Sequence, residues 1–212
     1  MRIIDNIKGL FKSKTVRNGM LFSAFSFLNS GFSFLLLLIL ASFITPSEYG
    51  YLSLYATVLM VIGYFIALSS EGYMDVAFFK DRKNGITNTF SSVFLLALSI
   101  LLFLLLIVSL RIPGLNSFLE FDNVILYIAL FTSFFTVFNN LLLSVCRVKE
   151  NIKAYGMLSC GSAILNFTLS IILVKYCSLS WQGRVYAQGS CALIFGQLAC
   201  STFSRTIFLQ LM

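Results

Sequence analysis

The stretch TPSEYGYLSLYATVLMVIGYFIALSSEGYMDVAFFKDRK (residues 45–83) decides the fold. Thr45 is placed to cap a helix, with Pro46 in the first turn and Glu48 three residues after the cap, and this capping box satisfies the free amide groups of a helix start. The apolar run at residues 51–70 is long enough to fill the roughly 30 Å of a bilayer's hydrocarbon core. The stretch therefore predicts a membrane-spanning helix that begins at a capped turn.

Two carboxylates, Glu71 and Asp75, follow the apolar run and share one helical face because they are four residues apart. A straight helix over residues 45–79 is roughly 50 Å long, so we expect Glu71 near the edge of the hydrocarbon and Asp75 in or beyond the headgroup zone. Two interpretations stay open. Either the pair ends the span at the cytoplasmic edge, balanced by the basic run at 80–83, or one carboxylate stays protonated or holds a cation in a coupled carrier.

The whole chain has the composition of an integral membrane protein. Of its 212 residues, 58% are hydrophobic and 11% are charged, and the charges gather between long apolar runs. Because lipid offers no partner for open backbone groups, the sequence predicts an all-α, polytopic bundle. The net charge of +7 lies mainly beside the apolar runs, which favours membrane topology over binding to nucleic acid.

Six transmembrane helices are predicted, and together they form one lobe at residues 19–205. Residues 1–18 are interpreted as a basic amphipathic segment that lies on the membrane interface, and residues 206–212 as a C-terminal tail. The approximate bounds of the spans are 20–44, 51–79, 90–110, 124–145, 155–176 and 185–203.

The basic residues support this count of spans. If the N-terminus is cytoplasmic, twelve of them lie on the cytoplasmic side and three on the outer side, as the positive-inside rule requires. Both termini are therefore predicted to be cytoplasmic. The cytoplasmic group is Arg2, Lys8, Lys12, Lys14, Arg17, Lys80, Arg82, Lys83, Arg147, Lys149, Lys153 and Arg205, and the outer group is Arg111, Lys175 and Arg184.

The sequence contains no recognisable enzyme motif. It has no histidine, no glycine-rich phosphate loop, no nucleophile elbow and no metal-ligand spacing. Its five cysteines fall in or beside apolar runs, and we interpret them as small buried hydrophobic residues. We therefore expect no enzyme activity, no metal site and no cofactor.

Polar residues inside the spans are the best functional candidates. A buried amide in lipid must find a partner, so each one either binds a neighbouring helix or faces a shared polar interior. The two arginines near the span ends are either topology determinants or ligands for an anionic headgroup or phosphate. The candidate substrate and gating residues are Glu71, Asp75, Arg147, Arg184, Asn29, Asn139, Asn140 and Asn166.

The segment LNSGFSFLLLLILASFITPSEYGYLSLYATV (28–58) resembles the first two spans of polysaccharide (O-antigen type) flippases, in the multidrug/oligosaccharidyl-lipid/polysaccharide exporter superfamily. The closest similarity is the turn that joins these spans. Further similar features are a basic segment after the fourth span and a Gly-Arg start to the sixth. The residues concerned are Pro46, Glu48, Tyr49, Gly50, Arg147, Tyr155, Gly183 and Arg184.

This resemblance implies a bacterial cytoplasmic-membrane protein that turns an undecaprenyl-pyrophosphate-linked oligosaccharide over to the outer leaflet. Such exporters have two helical lobes, and six spans correspond to the N-terminal one. We therefore expect a truncated product, or a lobe that pairs with a second half or with another copy. The acidic pair departs from the family, which often has a basic residue there. Two alternatives remain: a cation-coupled multidrug exporter lobe, and a non-transporting membrane scaffold or fragment.

Overall fold

A computed structural model of the chain describes residues 14–68, 70–80, 85–110, 121–177 and 179–211. These residues are almost entirely helical, which confirms the all-α prediction. Five helical stretches are long and apolar enough to cross a membrane, which indicates a multi-pass membrane protein. They are Val16–Ala41, Pro46–Lys80, Thr89–Ser109, Asn123–Val148 and Ile152–Tyr176.

The described residues form seven α-helices, and a π-helical turn at Ile172–Tyr176 extends the sixth. The last helix covers the sixth predicted span but is not among the five candidate spans, so its membrane crossing stays a prediction. The helices are α1 (Lys14–Ala41), α2 (Pro46–Ala67), α3 (Ser70–Lys80), α4 (Gly85–Ser109), α5 (Asn123–Val148), α6 (Ile152–Ile171) and α7 (Ser180–Leu211).

The first and last helices extend beyond the predicted spans, towards the ends of the chain. α1 begins at Lys14, so residues 14–18 belong to a long helix, while residues 1–13 of the predicted interfacial segment lie outside the described residues. α7 continues to Leu211 and includes most of the predicted C-terminal tail. The basic residues Arg82, Lys83 and Arg111 also lie outside the described residues.

The predicted capping box at the start of α2 is present. The Glu48 amide donates to the Thr45 hydroxyl at 3.5 Å, and the Glu48 carboxylate accepts from the Thr45 amide at 2.9 Å. The predicted span at 51–79, however, is divided into α2 and α3. Leu68 adopts a left-handed conformation (φ 39°) and closes the last turn of α2 on Tyr64. The Ser- and Gly-containing run that follows suits a helix end better than a helix interior.

α5 lies at the centre of the bundle and contacts α2, α3, α4, α6 and α7. In its apolar stretch 56% of the residues are buried, against 11% to 24% in the other four candidate spans. An aromatic cluster joins it to α4 and α7, with Phe90 stacked on Phe203 at 4.1 Å and Phe138 edge-on to Phe90 at 5.7 Å between ring centroids. Burial of these rings supplies much of the bundle's apolar packing.

α1 and α2 are joined by a short turn but pack on different helices. α1 packs mainly on α6, with the rings of Phe22 and Tyr155 edge-on at 5.0 Å, whereas α2 packs mainly on α5. α7 approaches α5 closely at Gly196, where an added Cβ would lie 2.6 Å from Phe135 Cβ and 2.8 Å from its carbonyl oxygen. The bundle therefore depends on contacts between helices that are distant in sequence.

Polar contacts close the bundle at both ends, which we call the Thr45 end and the Lys80 end. At the Thr45 end, the Ser180 hydroxyl donates to the Glu48 carboxylate, and the rings of Tyr51 and Trp181 stack at 5.6 Å. At the Lys80 end, the Asn18 amide donates to the Glu150 carboxylate at 2.9 Å. Each set of contacts joins one of the first two helices to a residue that follows α5 in the sequence.

Candidate functional site

A polar groove of about 350 Å³ lies between α2 and α5 and reaches α7. Hydroxyl, amide and carboxylate groups line it, which is unusual in a bundle of helices long enough to span a bilayer. Small residues of α2 leave room there, since an added Cβ at Gly63 would have no atom within 4 Å. The polar residues of the groove are Glu71, Thr132, Ser133, Thr136, Asn140 and Gln188.

Helical periodicity brings these groups together. Thr132, Thr136 and Asn140 are four residues apart, so they follow one face of α5. Two hydrogen bonds hold α2 and α3 beside that face. The Ser133 hydroxyl donates to the Leu59 carbonyl at 3.3 Å, and farther along, the Ser144 hydroxyl donates to Asp75 at 2.5 Å. The groove lies mainly between these two attachment points.

The structure gives the two predicted carboxylates different surroundings. Glu71 is exposed and lines the groove together with Asn140. Asp75 is half-buried and accepts the hydrogen bond from Ser144, which joins α3 to α5. Among the described residues neither carboxylate forms an ion pair with Lys80. Glu71 is thus the member of the pair that a ligand in the groove would meet.

Arg184 and Asn166, which the sequence singled out separately, are direct partners. The Arg184 Nη1 group donates to Asn166 Oδ1 at 2.5 Å and to Ser170 Oγ at 2.9 Å. Ser170 in turn donates to the Asn166 backbone carbonyl at 2.6 Å. Within the described part of the chain, no carboxylate pairs with the guanidinium. Its protein partners there are therefore neutral.

Two hydroxyls that the sequence analysis did not select, those of Tyr55 and Thr132, are buried inside the bundle. Their side chains are 1% and 2% exposed, and neither oxygen has a hydrogen-bond partner among the described residues. The Tyr55 phenol faces Thr132. Thr132 also lines the polar groove. We call Arg184, Asn166 and Ser170 the Arg184 cluster.

The remaining predicted residues lie apart from the groove. Arg147 is exposed at the Lys80 end, with its guanidinium 5.7 Å from the centroid of the Tyr155 ring. Asn139 is partly buried, and its Oδ1 has no partner among the described residues. Asn29 is on α1, where its backbone carbonyl accepts from Ser33. The structure therefore does not unite all the candidates in one cavity.

An apolar groove of about 410 Å³ also borders α2 and α5, on the side where α4 packs. Aliphatic side chains line almost all of it, including Leu54, Val58, Leu104, Leu126 and Leu130. The helix pair α2–α5 thus separates a polar groove from an apolar one. Such a pair of surfaces suits a ligand with a polar part and an apolar part.

All five cysteines are described, and all are free thiols. Cys146 and Cys191 are buried as predicted, Cys160 and Cys200 are half-buried, and Cys177 is exposed. In the described ranges, no three Cys, Asp or Glu side chains are grouped so as to hold a metal ion. Cysteine packing therefore follows the prediction at two positions of the five.

Comparison with known proteins adds no relative. A scan against protein-family models, a search of the curated proteins and a search of the solved structures each found no match. The functional proposal therefore rests on the chemistry of the two grooves and on the resemblance of the first two spans.

Proposed function

We propose that the chain forms one helical lobe of a membrane exporter that moves a lipid-linked oligosaccharide from the cytoplasmic to the outer leaflet. The observation that supports this most directly is the polar groove between α2 and α5. Thr136, Asn140 and Gln188 place hydroxyl and amide groups there, and such groups donate to and accept from sugar hydroxyls. The resemblance of the first two spans to polysaccharide flippases also supports oligosaccharide export.

The two grooves match the two parts of such a substrate. A lipid-linked oligosaccharide has a polar glycan and a long isoprenoid chain, and a buried polar group is costly unless it is hydrogen-bonded. The glycan would lie in the polar groove, while the chain stays in lipid beside the apolar groove of α2, α4 and α5. Both grooves border α2 and α5, so one helix pair would meet both parts.

Transport by alternating access needs two bundles that move about a shared site. We therefore propose that the lobe works with a second lobe, supplied by a separate chain or by another copy. Under the positive-inside rule, the Lys80 end would face the cytoplasm. Glu71 would then lie towards the cytoplasmic mouth of the groove and Gln188 deeper in the bundle.

A second candidate function is a cation-coupled exporter of amphipathic drugs. The observation that favours it is the position of Glu71, whose carboxylate lines the polar groove and has no ion-pair partner among the described residues. A carboxylate in such a place binds a proton or a cation, and this supplies the coupling step of many carriers. The two candidates differ in substrate and in their need for an ion gradient.

The proposal is tested with the full chain in liposomes, at a protein content that gives several copies per vesicle. The vesicles contain a fluorescent undecaprenyl-diphosphate oligosaccharide, and an impermeant quencher reports its movement between leaflets. Wild-type protein should accelerate the movement over protein-free vesicles. Gly63→Leu fills the groove and should slow it at least about tenfold, the equivalent of about 1.4 kcal/mol.

Gly50→Leu is the matched control, because Gly50 lies on the same helix, faces open space and does not line the groove. It should retain the wild-type rate. No acceleration by the wild-type chain would reject a transporter made of two copies of this lobe. Equal rates for both variants would remove the groove from oligosaccharide transport. Uptake of a cationic dye that needs a pH gradient and is lost in Glu71→Gln, without glycan movement, would select the second candidate.

A further inference from the structure

We propose that a groove between α5, α6 and α7 at the Lys80 end holds one anionic phospholipid, with an acyl chain along the groove and the phosphate at Lys149 and Asn151. We call it the Lys149 groove. Its volume is about 450 Å³, which lies within the range of roughly 300–1,000 Å³ for ligand pockets. None of its lining residues lines the polar groove between α2 and α5, so this inference does not depend on the transported substrate.

The Lys149 groove is apolar along most of its length. Leu142, Val145 and Phe203 line it and are buried against the bundle. Leu142 lies seven residues before Lys149, which is roughly 10 Å along a helix. Half of a bilayer's hydrocarbon core is roughly 15 Å thick. The groove is therefore long enough for the part of an acyl chain that lies nearest the headgroup.

The rim of the Lys149 groove is also apolar. Met157 on α6 and Leu198 on α7 line the groove, and their side chains are 78% and 48% exposed. Exposed apolar side chains on helices that are long enough to span a bilayer face hydrocarbon at little cost, whereas in water they would be unfavourable. The groove therefore suits a chain that enters sideways from the lipid.

The polar end of the Lys149 groove is positively charged. Lys149 lies in the turn from α5 to α6, where residues 147–153 include three basic residues and one acidic residue, Glu150. The Glu150 carboxylate accepts from the Asn18 amide at 2.9 Å, and in the described ranges no carboxylate pairs with Lys149. Basic pockets between membrane helices on the cytoplasmic side bind anionic headgroups. Charge complementarity thus favours an anionic lipid.

Asn151 supplies a second donor at the same end of the groove. Its side-chain oxygen caps α6 by accepting from the Ala154 amide at 3.2 Å, which leaves the N–H groups of that side chain for another acceptor. The long stem of Lys149 lets its ammonium group reach the headgroup level while the stem covers apolar surface. A phosphate oxygen would accept from both side chains. A choline headgroup would bring a positive charge towards Lys149, so a neutral phospholipid matches the site less well.

The test measures which lipid contacts the rim of the groove in nanodiscs that contain the full chain. Met157→Trp places a tryptophan there, and Trp181→Phe removes the natural tryptophan but keeps a ring beside Tyr51. Brominated phosphatidylglycerol and brominated phosphatidylcholine, which quench a tryptophan that they contact, are each titrated by mole fraction. We expect half-maximal quenching at a mole fraction at least about fivefold lower for phosphatidylglycerol, the equivalent of about 1 kcal/mol.

Three variants are compared in this tryptophan background. Lys149→Gln removes the charge that lines the groove and should abolish most of the preference for phosphatidylglycerol. Lys153→Gln is the matched control, because it removes the same charge at the same end of the bundle from a residue that does not line the groove. It should retain most of the preference. Ala154→Leu fills the groove without changing its charge and should make the two lipids quench equally.

Equal quenching by the two brominated lipids before any of these changes would reject the proposal. Equal losses in Lys149→Gln and Lys153→Gln would also reject it, because they would indicate general attraction at the membrane surface. Absence of quenching by either lipid would mean that protein, such as a second copy of the chain, covers the groove. Displacement of brominated phosphatidylglycerol by undecaprenyl diphosphate, but not by unlabelled phosphatidylglycerol, would assign the groove to the transported lipid instead. If Ala154→Leu does not fold, the two lysine variants decide the question.

Discussion

The close approach of α7 to α5 at Gly196 allows us to predict how much folding stability Gly196→Ala would lose. A Cβ at this position would lie 2.6 Å from Phe135 Cβ and 2.8 Å from the Phe135 carbonyl oxygen, whereas ordinary contact begins at 3.4 Å. One of these atoms belongs to the backbone, so no change of rotamer relieves the contact and the two helices must separate. Overpacking of this kind costs about 1–3 kcal/mol.

Gly31 on α1 provides the matched control. It lies inside a helix, and an added Cβ would have no atom within 4 Å. Replacing glycine with alanine inside a helix favours folding by about 1 kcal/mol when nothing opposes it. Gly31→Ala should therefore match or exceed the wild type, while Gly196→Ala should be less stable than Gly31→Ala by about 1–3 kcal/mol, the overpacking cost alone.

The free cysteines provide the assay. Cys146 and Cys191 are buried, so a thiol-reactive dye becomes fluorescent as the heated bundle opens and exposes them. For a chain of this size each kcal/mol shifts the midpoint by roughly 2–4 °C, so the two variants should differ by several degrees. Equal midpoints for Gly196→Ala and Gly31→Ala would refute the close packing of α7 on α5.

Two further predictions concern the ends of the bundle. Glu48→Ala removes the capping box of α2 and the hydrogen bond from Ser180 on α7. It should lower the free energy of unfolding by about 1–2 kcal/mol. An unchanged midpoint in the same dye assay would contradict both contacts. Reporter domains fused after Lys80 and after Lys149 should both report the cytoplasm, because an even number of crossings separates these sites. Signals on opposite sides of the membrane would contradict the predicted topology.

The features that were predicted correctly from the sequence, the capping box and the helices, depend on residues that are close together in the chain. The capping box needs only Thr45 and Glu48, and both of its hydrogen bonds are present. The helices were recognisable because apolar runs as long as a bilayer leave few alternatives. The break after Ala67 had a weaker signal, the Ser- and Gly-containing run that follows it. Leu68 itself gave none, because leucine rarely adopts a left-handed conformation.

The candidate site was predictable only in part. The spacing of Thr132, Thr136, Asn140 and Ser144 along α5 is a visible polar stripe, and it would have indicated the groove face. The pairing of Arg184 with Asn166 was not predictable, because it depends on which helices are neighbours. For the same reason, the burial of the Tyr55 and Thr132 hydroxyls becomes visible only in the folded bundle.

The packing of α1 on α6 has a consequence for biosynthesis. A chain is made from its N-terminus at roughly 5–20 residues per second, so α1 leaves the ribosome on the order of ten seconds before α6 is complete. During that interval α1 must stay in the bilayer as a single, strongly apolar helix. Its first polar partner at the Lys80 end, Glu150, arrives equally late. The first of the described helices to be made is therefore among the last to contact its main partner helix, and a product that ends before α6 would leave it unpaired.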